Sequence, residues 1–178
     1  MAETQTRKGE VTMKGNPVEL VGPKLKPGDK APDFSCVGAG LAVISLADTA
    51  GKARLFNVVP SLDTPVCNTQ TRHFSEVLKG LGDKVAAYTV SLDLPFAQGR
   101  WCTEAKVDNV KNLSDVKDHS FGANYGVLIK GLPIPLLARA VFVIGGDDTI
   151  KYVQIVPEIA TEPDYEPALT ALKAAAGA

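Results

Sequence analysis

The sequence is poor in cysteine and histidine, and this scarcity excludes several classes of site. It has three cysteines, at positions 36, 67 and 102, and two histidines in 178 residues. Three widely spaced cysteines are too few for a disulfide framework, and without a Cys-X-X-Cys pair neither a zinc knuckle nor a thioredoxin-type redox pair is indicated. The odd count leaves two interpretations of the thiols: they are inert and buried, or they are reactive.

The sequence also lacks a strong net charge and an uninterrupted apolar run. Its formal net charge is −1, so no strong field favours nucleic acid or an anionic membrane as a partner. The opening MAETQTRKGE has no apolar core of the kind found in secretory signals. The longest apolar region, YGVLIKGLPIPLLARAVFVI, contains Lys130, Arg139 and two prolines, so we expect no membrane span. The expected location is the cytoplasm.

Length and composition indicate one folded domain over residues 1–178. The chain is 45% hydrophobic and 22% charged, which is ordinary for a folded domain of this size. Two alternating segments around Gly15 and Asn16 predict an N-terminal β-hairpin at residues 10–22.

The remaining pattern alternates apolar runs with helical periodicity. Runs typical of strands lie at 41–46, 53–59, 84–92, 138–144 and 149–156, and the last two are joined by a GGDD turn that predicts antiparallel pairing. Helices are predicted at 65–81, 95–106 and 115–124, with a last one starting near Thr161. This order predicts an α/β protein with a mixed central sheet and helices on both faces.

The segment PSLDTPVC, residues 60–67, places a cysteine where a strand gives way to a helix. Thr64 is predicted at the N-cap, where its hydroxyl can cap the helix, with Pro65 first in the helix and Cys67 third. One interpretation is purely structural, with Cys67 as a small apolar residue. The other is a reactive thiolate, which a helix N-terminus stabilises by about 0.3–1 kcal/mol and at most about 2. That lowers a thiol pKa of ~8.5 by little more than one unit, so a reactive thiol here needs a cation from elsewhere in the chain.

Several motifs together carry a family resemblance. PSLDTPVC has proline, three residues, threonine, two residues and cysteine, and DLPFAQGRWC, ARAVFVI and EIATEPDYEPAL follow in order. Together they resemble the thiol peroxidases, the atypical two-cysteine subfamily of the peroxiredoxins, over almost the whole chain. The resemblance implies a thioredoxin-like fold and the reduction of hydrogen peroxide and organic hydroperoxides without a metal or an organic cofactor.

The resemblance also implies roles for five residues of this sequence. Cys67 matches the peroxidatic cysteine and Cys102 the resolving cysteine. Thr64 matches the residue whose hydroxyl contacts the thiolate and the bound peroxide. Pro60 matches the residue that shields the site from water, and Arg139 the arginine beside the thiol. An intramolecular disulfide between Cys67 and Cys102, thioredoxin as its reductant and a homodimer are implied as well.

Disulfide geometry adds an expectation about movement. A disulfide needs Cα atoms within about 7 Å, and two cysteines that start separate helices rarely satisfy this. We therefore expect the first turn after Thr64 and the helix around Cys102 to unwind partly when the bond forms. Cys36 has no counterpart in the family pattern and is expected to be a buried bystander.

Other functions of the same sequence remain open at this point. A cysteine hydrolase would need a histidine base beside Cys67, but His73 lies further along the same predicted helix and points to another face. A thiol-based peroxide sensor or a holdase-like binding protein would use the same oxidation to switch a partner, and would stop after a single oxidation. A non-enzymatic thioredoxin-fold module would tolerate Cys67→Ser.

Overall fold

The fold follows the predicted alternation of strands and helices. A computed structural model describes residues 5–177. In chain order its elements are β1 (Thr6–Met13), β2 (Asn16–Val21), β3 (Cys36–Val37), β4 (Val43–Ile44), β5 (Ala53–Val58), α1 (Pro65–Leu78), β6 (Val85–Ser91), α2 (Pro95–Ala105), β7 (Lys111–Ser114), α3 (Ser120–Asn124), β8 (Leu128–Lys130), β9 (Leu136–Leu137), β10 (Ala140–Ile144), β11 (Ile150–Ile155) and α4 (Tyr165–Ala175).

A mixed seven-stranded sheet forms the centre, in the order β11-β10-β5-β6-β7-β3-β4. Strands β5, β6 and β7 are parallel, whereas β10 is antiparallel to both β5 and β11. Every residue of β5 and β10 is buried, as expected for apolar strands covered on both faces. The predicted mixed sheet of an α/β fold is confirmed.

Two apolar clusters cover the two faces of this sheet. Neighbouring residues of β5, Leu55 and Phe56, belong to different clusters, because successive strand residues point to opposite faces. The Leu55 cluster includes residues of α1, α2 and α4, among them Cys67 and Trp101. The Phe56 cluster includes residues of α3 and of a second, four-stranded sheet in the order β1-β2-β8-β9. The active-site candidates of α1 and α2 therefore lie on one face.

The N-terminal hairpin is longer than the sequence pattern indicates. Strand β1 begins at Thr6 rather than at residue 10, and its pairing with β2 changes register between Arg7 and Val11. Lys14 and Gly15 form the turn with positive φ angles of 51° and 80°, as the twist of a tight hairpin requires.

Three predicted elements are wrong in extent. The helix predicted at 115–124 is shortened to α3, because His119 takes a left-handed backbone conformation with φ 57° directly before it. The strand predicted at 41–46 is reduced to β4, because Gly40 and Leu41 take positive φ angles of 66° and 62° in a short 3-10 turn before it. The last helix does not begin near Thr161: it starts at Tyr165, and the Thr161 hydroxyl donates instead to the carbonyl of Glu158 at 2.8 Å. Among residues 5–177, no helix has the length and apolar character needed to cross a bilayer.

Candidate active site

Cys67 lies in the first turn of α1, and its side chain exposes no surface. Thr64 occupies the N-cap position with an extended backbone, and Pro65 is the first helical residue. The expected capping by Thr64 is wrong, because its hydroxyl makes no hydrogen bond to the helix backbone. The hydroxyl lies instead 2.7 Å from Cys67 Sγ and 3.0 Å from the carbonyl oxygen of Ser61.

This position gives the single hydroxyl hydrogen of Thr64 two acceptors. A thiolate at Cys67 accepts that hydrogen in a charge-assisted bond, whereas a neutral thiol donates to Thr64, whose hydrogen then faces Ser61. The Ser61 carbonyl also accepts the backbone N–H of Thr64 at 3.1 Å, so it keeps a partner in both cases. The loop therefore suits both charge states of the sulfur.

A buried arginine approaches the sulfur from the other side. Arg139 directly precedes β10, is 2% exposed, and places Nη1 at 3.4 Å from Cys67 Sγ. It also donates through Nη1 to Gln70 Oε1 and through Nε to the carbonyl of Ile159, both at 2.8 Å. Within residues 5–177 no carboxylate pairs with Arg139, so its positive charge acts on the sulfur without competition.

A chain of buried neutral side chains holds Gln70 in place. Gln70 Nε2 donates to Asn57 Oδ1, and Asn57 Nδ2 donates to the hydroxyls of Thr71 at 2.9 Å and Thr89 at 3.1 Å. All four side chains are fully buried. Because Nε2 is committed to Asn57, the amide oxygen of Gln70 must face Arg139. Reasoning from the sequence did not identify Gln70 and Asn57, although an amide inside the apolar run at 53–59 is a signal that could have identified Asn57.

Hydrogen bonds to one carboxylate hold the loop that carries Pro60. Pro60 is buried just beyond β5. Asp93, in the loop between β6 and α2, accepts the Ser61 hydroxyl at 2.7 Å and the backbone N–H of Leu62 at 2.8 Å. It also accepts the hydroxyl of Ser91 at 2.8 Å. The loops that open α1 and α2 are therefore joined through one side chain.

The carbonyl that binds Arg139 is positioned by the N-terminal hairpin. Ile159 donates its backbone N–H to the carbonyl of Thr12 at 2.9 Å. The neighbouring Glu158 carboxylate accepts the Thr12 hydroxyl at 2.6 Å, and it also accepts the backbone N–H groups of Lys14, Gly15 and Ala160. These bonds, led by that from Thr12, lower the pKa of Glu158 from 4.5 to about 2.

A Glu158→Gln variant is expected to be less stable than the wild type at neutral pH, because an amide has one acceptor oxygen where the carboxylate has two. The stabilising contribution of the carboxylate is complete above pH 4.5 and is lost as the pH falls through about 2. The stability difference between the two proteins should therefore shrink over this interval. Urea unfolding at several pH values measures it, with Glu76→Gln on the surface of α1 as the control. A pH-independent difference would contradict this linkage.

Cys102 lies in α2 and is partly buried. Burial raises the pKa of its thiol, and the 2.9 Å hydrogen bond from Asn112 Nδ2 opposes this rise. The sulfur lines a groove of about 630 Å³ together with Tyr88, Val107 and Val110. Its neighbour Trp101 lines a different cleft, which Thr64 also borders. Trp101 and Cys102 thus line different clefts although they are successive residues of α2. All three cysteines are free thiols.

Cys36 and His73 lie outside the hydrogen-bonded arrangement around Cys67. Cys36 is fully buried with Sγ 3.7 Å from Asp115 Oδ1, and burial together with the nearby carboxylate raises its pKa. His73 is exposed and packs its ring 3.9 Å from that of Tyr165, so it is not placed as a base for Cys67. Between residues 5 and 177, no cluster of three or more His, Cys, Asp or Glu side chains could hold a metal ion.

Comparison with known proteins identifies the family. The Redoxin family matches residues 26–169. A thiol peroxidase of Halalkalibacterium halodurans is 52% identical over 165 residues, which cover 93% of this chain and 98% of that protein. The thiol peroxidase of Bacillus subtilis is 49% identical over 165 residues, covering 93% and 97%. This chain belongs to the Redoxin family, among the thiol peroxidases.

A solved structure agrees with this family membership. A peroxiredoxin-like protein from Aquifex aeolicus matches with a TM-score of 0.86 and 42% identity, covering 94% of this chain and 98% of that one. The thioredoxin-like fold implied by the motifs is confirmed. As a thiol peroxidase, the protein is an enzyme that uses a thiol to reduce peroxides.

Proposed function

We propose that Cys67 is the peroxidatic thiol of this enzyme and that hydrogen peroxide and organic hydroperoxides are its substrates. The observation that carries this proposal is the position of Cys67 Sγ, 2.7 Å from the Thr64 hydroxyl and 3.4 Å from the Arg139 guanidinium. Both groups favour negative charge on the sulfur, and only the thiolate is a strong nucleophile. We also propose that Pro60, which is buried shortly before Thr64 in the chain, shields the sulfur from water.

The first chemical step transfers one oxygen atom. The Cys67 thiolate attacks the peroxide oxygen distal to the leaving group, an S–O bond forms, and the O–O bond breaks. Cys67 becomes a sulfenic acid, and the departing alkoxide or hydroxide takes a proton to leave as an alcohol or water. Arg139 and Thr64 stabilise the charge as it moves from sulfur to the leaving oxygen. None of these steps requires a metal or an organic cofactor.

The second step forms a disulfide within the chain. The Cys102 thiol condenses with the Cys67 sulfenic acid, an S–S bond forms, and one water molecule leaves. Cys102 lines a different cleft from the one that Thr64 borders, and a disulfide needs Cα atoms within about 7 Å, so we expect α2 to rearrange before Cys102 reaches Cys67. Gly99 inside α2 lowers the cost of this rearrangement, since an interior glycine weakens a helix by roughly 1 kcal/mol relative to alanine.

An external dithiol then completes the cycle. We propose thioredoxin as this reductant: its two thiols become a disulfide while Cys67 and Cys102 return to thiols. We propose the cytoplasm as the location of the enzyme, because a reducing compartment keeps such an external dithiol reduced. We further propose that residues 1–178 act as one domain and that two copies form a homodimer.

Mass spectrometry of non-reduced peptides after one equivalent of peroxide tests the pairing. The expected product links the peptide that contains Cys67 to the one that contains Cys102. A bond to Cys36 would overturn the assignment. Turnover with thioredoxin and its reductase separates an enzyme from a peroxide sensor: we expect many peroxides reduced per chain, whereas a sensor stops after a single oxidation.

A further inference from the structure

An exposed arginine joins the helix of Cys67 to the helix of Cys102. Arg72, in α1, donates from Nη1 to the carbonyl of Ala105 at 3.1 Å and from Nε to Asn68 Oδ1 at 2.6 Å. Its guanidinium also lies 5.9 Å from the ring centroid of Trp101. One side chain of α1 thus contacts two residues of α2, and the chemistry described above does not use it.

The contact at Ala105 lies at the C-terminal end of α2. Ala105 is the last residue of α2, and Lys106 after it takes a left-handed conformation with φ 55° and ψ 43°, which is unfavourable for a residue with a side chain. A cation at the end of a helix stabilises the free carbonyls there. Ser75 and Asn109 add a second link, since Asn109 Nδ2 donates to the carbonyl of Ser75 at 2.7 Å. Residues of α1 therefore bind both the end of α2 and the loop that follows it.

The contact at Asn68 lies where α1 must open. Asn68 follows Cys67 directly, and its backbone N–H donates to the carbonyl of Thr64 at 3.0 Å in the first turn of the helix. If this turn unwinds, Asn68 moves away and Arg72 loses the acceptor that orients its guanidinium. The hold on Ala105 and Trp101 then weakens as well, because the same guanidinium makes all three contacts.

We propose that Arg72 is a positioning residue that couples the unwinding of the Cys67 turn to the release of α2. This inference rests on the proposed function, because it concerns the disulfide between Cys67 and Cys102. While Cys67 is reduced, the oriented guanidinium keeps α2 folded and holds Trp101 in its cleft. When the first turn of α1 opens, the same side chain releases α2, so Cys102 becomes mobile when it is needed.

Rapid quenching separates the two steps that this proposal distinguishes. The full-length protein is mixed with hydrogen peroxide and quenched with an alkylating reagent, and mass spectrometry follows the sulfenic acid and the disulfide. Arg72→Ala is expected to accelerate disulfide formation by roughly threefold to tenfold, the range for losing the net contribution of one ordinary hydrogen bond at an exposed position. Formation of the sulfenic acid should stay within about twofold of the wild type.

Coupling is tested with Asn68→Ala and the double variant. Asn68→Ala alone should accelerate the disulfide step by a smaller factor, and Asn68→Ala with Arg72→Ala should match Arg72→Ala alone, because Asn68 acts through the guanidinium. Lys79→Ala is the matched control: it removes another exposed cation of this helix region, whose partner Glu76 lies in α1, and it should leave both steps unchanged.

The outcomes distinguish this inference from the proposed function. An unchanged or slower disulfide step in Arg72→Ala, or factors for the two substitutions that multiply in the double variant, would overturn the coupling and leave the proposed function intact. A wild-type protein that forms no bond between Cys67 and Cys102 would overturn both. Thermal unfolding of each variant establishes that folded proteins are compared. If Arg72→Ala does not fold, Arg72→Lys replaces it, and its rate of disulfide formation is expected to lie between those of the wild type and Arg72→Ala.

Discussion

Replacing Arg139 with methionine is expected to slow the oxidation of Cys67 by peroxide by roughly 10²–10³-fold, the loss typical for removing one donor that stabilises developing charge. Methionine fills a similar volume without the charge. The guanidinium lies 3.4 Å from the sulfur, and a unit charge at about 4 Å in a partly screened site contributes on the order of 4 kcal/mol before desolvation. The helix start and Thr64 remain in the variant, so a residual rate is expected.

Stopped-flow measurement of the oxidation rate at neutral pH tests this expectation. Arg54→Met is a matched control, since Arg54 is also fully buried but binds Asp148 and the carbonyl of Gly145. It should lower stability without slowing oxidation in the folded protein. A rate for Arg139→Met within tenfold of the wild type would disprove the electrostatic role.

Replacing Cys102 with serine is expected to end turnover after the first oxidation. Cys67 should still react with peroxide at close to the wild-type rate, because its contacts with Thr64 and Arg139 do not involve Cys102. The sulfenic acid then lacks an internal thiol partner. With excess peroxide it is expected to oxidise further to the sulfinic acid, which an external dithiol does not reverse.

Intact mass and a coupled thioredoxin assay measure the two parts of this result. Cys102→Ser should gain the mass of two oxygen atoms and consume no further reductant, whereas the wild type should cycle. Cys36→Ser is the control: Cys36 is buried beside Asp115, and its replacement should leave turnover intact in the folded protein. Sustained turnover by Cys102→Ser would show that another thiol or the reductant itself resolves the sulfenic acid.

The sequence predicted the local parts of the site better than its tertiary parts. The positions of Thr64, Pro65 and Cys67 at the start of α1 follow from short-range helix rules, and long apolar runs located β5, β6 and β10. The pairing of Gln70 with Asn57 depends on how α1 packs over the sheet, which no local pattern encodes. The two-residue strands β3, β4 and β9 are too short to show a period.

The rules for helix capping also did not predict the direction of the Thr64 hydroxyl. A threonine at an N-cap normally bonds to the helix backbone, but here a sulfur anion site competes for the same hydrogen. The preference for the sulfur follows from the burial of Cys67 and the charge of Arg139, both of which come from tertiary packing. The helix-capping rule thus located the residue correctly but missed what its side chain binds, whereas the family resemblance implied the contact with the Cys67 sulfur.

The two acceptors of Thr64 mean that the sulfur can gain or lose its charge without any heavy atom changing place. Rotation about one C–O bond turns the hydrogen between Cys67 and Ser61, and Ser61 keeps its backbone partner throughout. Apart from the thiol proton itself, the reorganisation that accompanies each change of charge is therefore confined to the hydroxyl hydrogen of Thr64. Movement of the loop that carries Ser61 and Thr64 is therefore needed only for the later formation of the disulfide and not for the change of charge on Cys67.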